Sequence, residues 1–115
     1  MLEKPIFLQG LYPFEGVGLE SAVPFTPGIK YQVPSDRRSQ LVYFRAGNSS
    51  PEMIYVLFKR DGKPMRYFPI GAKDAIHVSL AVVEDLQPDT SLEVLVGAPA
   101  GVKGSVVIDI GLMEI

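Results

Sequence analysis

The chain of 115 residues has no cysteine, no tryptophan and a single histidine. Each shortage removes a class of chemistry. Without cysteine there is no disulfide framework, no thiolate zinc site and no cysteine nucleophile, and the composition fits a reducing compartment. His77 has no histidine or cysteine partner with which to hold zinc. Residues Met1 to Gly10 lack the basic start and apolar stretch of a secretory signal, and no run approaches the roughly 20 apolar residues that span a bilayer. A cytoplasmic protein without membrane contact is the expectation. Helical periodicity is missing too, because 11 glycines and 10 prolines punctuate the chain every few positions.

What is present is alternation. Val106, Ile108, Ile110 and Leu112 share one face of the final segment at period two, so the chain is expected to end inside its own sheet. Gln40 to Arg45 combines branched and aromatic residues ahead of the turn cluster Gly47 to Pro51, and Met53 to Arg60 is nearly all apolar until its last two residues. Asp61-Gly62 then marks a tight hairpin, with Lys63 to Pro69 returning beside its predecessor. Ala75 to Val82 alternates, with Ile76, Val78, Leu80 and Val82 inward and His77 outward. Residues 83–90 read as a link to the strand Leu92 to Val96. Residues 10–19 read as an aromatic-rich loop, and shorter strands are expected at Ile6 to Leu8 and Lys30 to Val33.

Seven to nine short strands at turn-like spacing predict an all-β, single-domain antiparallel sandwich over residues 1–115. Hydrophobic residues make up 47% and charged residues 21%, a globular balance with enough apolar mass for a core. The ending Gly104, Val106, Val107, Ile108, Asp109, Ile110, Leu112, Glu114, Ile115 resembles the last strand of jelly-roll carbohydrate-binding modules and their galactose-binding-like relatives. The resemblance is confined to that strand and implies a jelly roll. It also implies sugar stacking on exposed aromatics, for which Tyr12, Phe14, Tyr43, Tyr55 and Tyr67 are the candidates in a chain without tryptophan.

Charge is unevenly distributed. Residues 30–73 hold nine Lys or Arg against three acids, and the rest of the chain holds two against ten. A folded molecule keeping these sets apart has a basic and an acidic side, which favours self-association or an anionic partner; interleaved strands erase the difference. A sequence pI of about 5.3 argues against a nucleic-acid binder, despite Arg66 beside Tyr67 and a basic hairpin tip.

The candidate binding residues are Arg37, Arg38, Tyr55, Arg66, Tyr67 and His77. Arg37-Arg38 offers paired guanidinium forks for a carboxylate or phosphate, and the tyrosines offer stacking faces. His77 reads as a surface or interface histidine, because no nucleophile and acid accompany it in sequence. Asp109 is expected to meet a basic residue on a neighbouring strand or to lie at an interface. Glu84, Asp85 and Asp89 match no calcium loop, and the glycines of 97–104 lack the spacing and lysine of a phosphate loop. Asn48-Ser49-Ser50 matches a glycosylation acceptor in form and reads as a turn. No cofactor, metal or catalytic set is expected. The expectation is a non-catalytic sandwich working by protein contact, as a homo-oligomer or accessory subunit, with Tyr55, Leu57 and Val107 as the first faces to inspect. A small sugar or anionic ligand is the alternative.

Overall fold

In the computed structural model, residues 3–115 are described, with the side chains of all of these except 81–84. They form eight strands: β1 Lys4–Glu15, β2 Val23–Gln32, β3 Ser39–Asn48, β4 Ile54–Arg60, β5 Lys63–Ile70, β6 Ala75–Leu86, β7 Ser91–Gly97 and β8 Lys103–Glu114. Sheet I has the order β1-β8-β3-β6 and sheet II the order β2-β7-β4-β5, with antiparallel pairing throughout. Successive strands cross between sheets except at β4–β5. This is the jelly-roll order.

The final strand is central. β8 pairs with β1 through Lys4↔Glu114 to Glu15↔Lys103 and with β3 on its other side. Val106, Ile108, Ile110 and Leu112 are buried between the layers, each contributing about 1.5–3 kcal/mol by removal from water. Opposite them, Phe58 and Phe68 of sheet II meet Phe44 of sheet I, with ring centroids 4.5–5.3 Å apart. The three rings tie the two layers together. At the β4–β5 hairpin Asp61 and Gly62 take φ of 51° and 80°, the positive values that a primed two-residue turn requires.

Two loop expectations are corrected. Residues 10–15 belong to β1, because an edge strand ladders on one side only and so accommodates Pro5 and Pro13. Residues 83–86 prolong β6, pairing through Leu41↔Glu84, Gln40↔Asp85 and Ser39↔Leu86 after a register shift near Val42. The expected inward turn of Val82 lies outside the described side chains. Ile76 and Val78 turn inward but stay half-buried, and Leu80 is buried.

The charge sets interleave. Arg45 of β3 stands opposite Asp109 of β8, Glu93 of β7 lies between Lys30 and Lys59 in register, and Arg38 pairs with Asp85 at 3.1 Å. Charge order along the chain therefore does not become a basic and an acidic side.

At the end of the sandwich carrying the β1–β2, β3–β4, β5–β6 and β7–β8 loops, buried Asn48 acts as a hub. Its Nδ2 donates to the carbonyls of Glu52 (2.9 Å) and Gly71 (3.0 Å), and its Oδ1 accepts from the Ser50 N–H at 2.9 Å. The nitrogen a glycan would take is thus buried and already committed to two carbonyls. The turn reading of Asn48-Ser49-Ser50 stands.

Candidate functional site

The outward face of sheet I carries three rows of side chains in register across all four strands. Phe7, Gly111, Tyr43 and Ser79 form the first, Gln9, Asp109, Arg45 and His77 the second, and Leu11, Val107, Gly47 and Ala75 the third. Alternation on β1, β8 and β6, and on β3 beyond its bulge, delivers these residues to one side.

The middle row is a satisfied polar strip. Asp109 accepts from Gln9 Nε2 at 3.1 Å, from the Tyr43 hydroxyl at 2.8 Å and from Arg45 Nε at 3.1 Å, with a second bond from Arg45 Nη2. Burial works to raise the Asp109 pKa, but the donors Arg45, Tyr43 and Gln9 outweigh it and hold the carboxyl below its ordinary value. Burial and the bond to Asp109 push the Tyr43 hydroxyl up. Arg45 also lies over the Tyr43 ring, 5.3 Å from its centroid, and Tyr43 meets His77 edge-on at 6.1 Å.

Around this strip the face is apolar and open. Phe7 is 56% exposed, Leu11 66% and Val107 54%, and Val42 beside the bulge is 47% exposed. Gly47 and Ala75, with almost no side chain, leave a shallow depression of about 580 Å³ rimmed by Arg45, His77, Val107 and Asp109. The charged groups here neutralise each other.

The six candidate binding residues are not brought together. His77 lies on the outward face of sheet I. Tyr55 and Tyr67 share the outward face of sheet II, centroids 5.4 Å apart, and the Tyr55 hydroxyl donates to the Leu19 carbonyl at 2.7 Å. Arg66 turns to the other side of β5, its guanidinium 5.2 Å from the Phe68 ring centroid. Arg37 and Arg38 sit at the opposite end of the molecule from Asn48, where Arg37 donates to the Glu114 carbonyl at 3.5 Å and Arg38 to Asp85. Both arginines are thus engaged by partners within the chain. Leu57, expected on an open face, is 3% exposed, because it stands between Leu95 and Tyr67 in register with the β1–β2 loop beside it.

Gln9, Tyr43 and Arg45 are the members of the central strip that sequence reasoning does not assign to Asp109. A basic partner on a neighbouring strand is legible, but its identity depends on register. Among the described residues, no cluster of three His, Asp or Glu side chains has the geometry of a metal site, and no helix is long and apolar enough to cross a membrane. No family model and no curated protein matches the sequence.

Proposed function

We propose that the chain is a non-catalytic jelly-roll domain that works by protein contact, as a homo-oligomer or accessory subunit. The observation that carries this reading is the outward face of sheet I, where exposed Phe7, Leu11 and Val107 flank a polar strip whose hydrogen bonds are already made. Such a face loses little on desolvation, because its charged groups bring their partners with them, and it gains from covering its apolar rows. A cysteine-free chain suits the reducing cytoplasm. The test is light scattering of the purified chain up to several hundred micromolar, combined with affinity capture from its native extract. Self-association, or a stoichiometric partner released by Leu11→Glu/Val107→Glu, is expected; a monomer that retains no partner overturns the reading.

A second reading, a small sugar ligand, is favoured by Tyr55 and Tyr67 standing side by side above Glu20 and Lys59, with Tyr67 57% exposed. Thermal-shift screening against mono- and oligosaccharides tests it, a shift abolished by Tyr67→Ala being the expected result.

A further inference from the structure

The four sheet edges are not equivalent. Pro5 and Pro13 lie on β1, Pro24 and Pro27 on β2, and Pro64 and Pro69 on β5, so three of the four edge strands carry residues that cannot donate to an added strand. β2 is further disrupted by a register shift between Pro24 and Ile29, and β1 packs against β2 at their common flank. β6, Ala75–Leu86, is different: its sequence holds no proline, lysine or arginine, and its first nine residues carry no charge besides that available to His77.

β6 is also under-covered. Ile76 and Val78 point toward the core and pack against it, yet stay only partly buried at the flank of the sheet. Residues 75–79 pair with β3 in unbroken register, Gly47↔Ala75 to Tyr43↔Ser79, so the segment is straight where it borders the open side. An uncharged, regular, apolar edge is a template for another strand.

We propose that β6 pairs antiparallel with β6 of a second copy about a two-fold axis passing through residues 75–79. The inference rests on the protein-contact reading and adds to it the partner and the strand. A second copy is the occupant the chemistry favours, because an antiparallel edge is self-complementary under two-fold symmetry and two uncharged edges approach without repulsion. Ile76 and Val78 of each copy then cover those of the other. Sheet I becomes a continuous eight-stranded sheet, and the rows ending at Ala75, His77 and Ser79 run on into their symmetry mates. The two outward faces merge into one platform.

The experiment uses the absence of cysteine. Single cysteines at Ala75, His77 and Ser79, with Tyr67→Cys on sheet II as control, are oxidised at micromolar concentration. A symmetric edge gives efficient disulfide dimers at the one or two positions nearest the axis and none at Tyr67; no dimer at any of the three, or equal dimer at Tyr67, overturns the proposal. In parallel, Ile76→Lys keeps an aliphatic stem over the core and sets an ammonium at the edge, and is expected to weaken dimerisation at least tenfold with an unchanged circular dichroism spectrum. A wild-type dimer that survives Ile76→Lys and dissociates in Leu11→Glu/Val107→Glu overturns the edge but keeps the contact reading. A wild-type monomer with a captured partner also overturns the edge alone, and a monomer without one overturns both.

Discussion

The ring of Tyr43 on β3 lies against the backbone of its cross-strand neighbour Gly111 on β8, so close that a Cβ on Gly111 would stand 2.1 Å from a ring carbon. From that position the hydroxyl reaches Asp109, two residues along the same strand. Glycine here makes room for an aromatic side chain that holds the polar strip in place. Sheet II repeats the device, with Tyr55 packed over Gly97.

Gly111→Ala should therefore expel Tyr43 and cost about 1–3 kcal/mol, the usual penalty for overfilling a packed site. Thermal unfolding is the measurement. Because the damage acts through the ring, Gly111→Ala should cost much less in a Tyr43→Ala background; equal costs in the two backgrounds would show that the contact does not matter.

Asp109 makes stability depend on acidity. Its folded pKa lies below the ordinary 3.8, so its contribution is present above that value and is lost as pH falls through the lower folded one. Denaturant midpoints should drop on acidification in the wild type and drop less steeply in Asp109→Asn. An identical acid limb in both proteins would count against the strip as a stabilising unit.

Much of this fold is legible in the chain because each strand buried on one face or both has a pattern of its own. The final strand, the Asp61-Gly62 hairpin and the alternation around His77 are all local signals. The edges are harder to read. Proline in β1 and β2 looks like a strand breaker until one knows that only one side of each strand is paired, and nothing local announces that. The central strip is harder still. Asp109 advertises the need for a partner, but that the partner is Arg45, with Gln9 on the opposite side, depends on the register of three strands distant in sequence.

Asn48 offers a test of the loop end. Asn48→Ala leaves the Gly71 carbonyl without its side-chain donor, the Glu52 carbonyl with the Ser50 hydroxyl in place of two donors, and the Ser50 N–H without its acceptor, and should cost about 2–4 kcal/mol. Asn48→Asp should do no better at neutral pH, since it places a carboxylate where the two carbonyls need a donor. Stability within a few tenths of a kcal/mol of wild type for either variant would show that the hub is dispensable.

At the opposite end, the Tyr31 hydroxyl donates to Glu114 Oε2 at 2.6 Å. Burial first, then this bond, pushes its pKa from 10.0 up to about 12. A phenol raised in this way favours the folded state while it stays protonated. The contribution is complete below the unfolded value of 10.0 and disappears as pH rises through about 12. Ionisation there would set a phenolate against the Glu114 carboxylate beside the junction of β3 and β8, where Arg38 and Ile115 exchange backbone hydrogen bonds. Ultraviolet titration should accordingly show one of the five tyrosines ionising in the highest step, together with the onset of alkaline unfolding. Tyr31→Phe should remove that step and make the alkaline loss of stability shallower, while lowering stability at neutral pH through loss of the bond to Glu114. If the highest step persists in Tyr31→Phe, another tyrosine is the one protected, and the Tyr31–Glu114 bond is not what sets the alkaline limit.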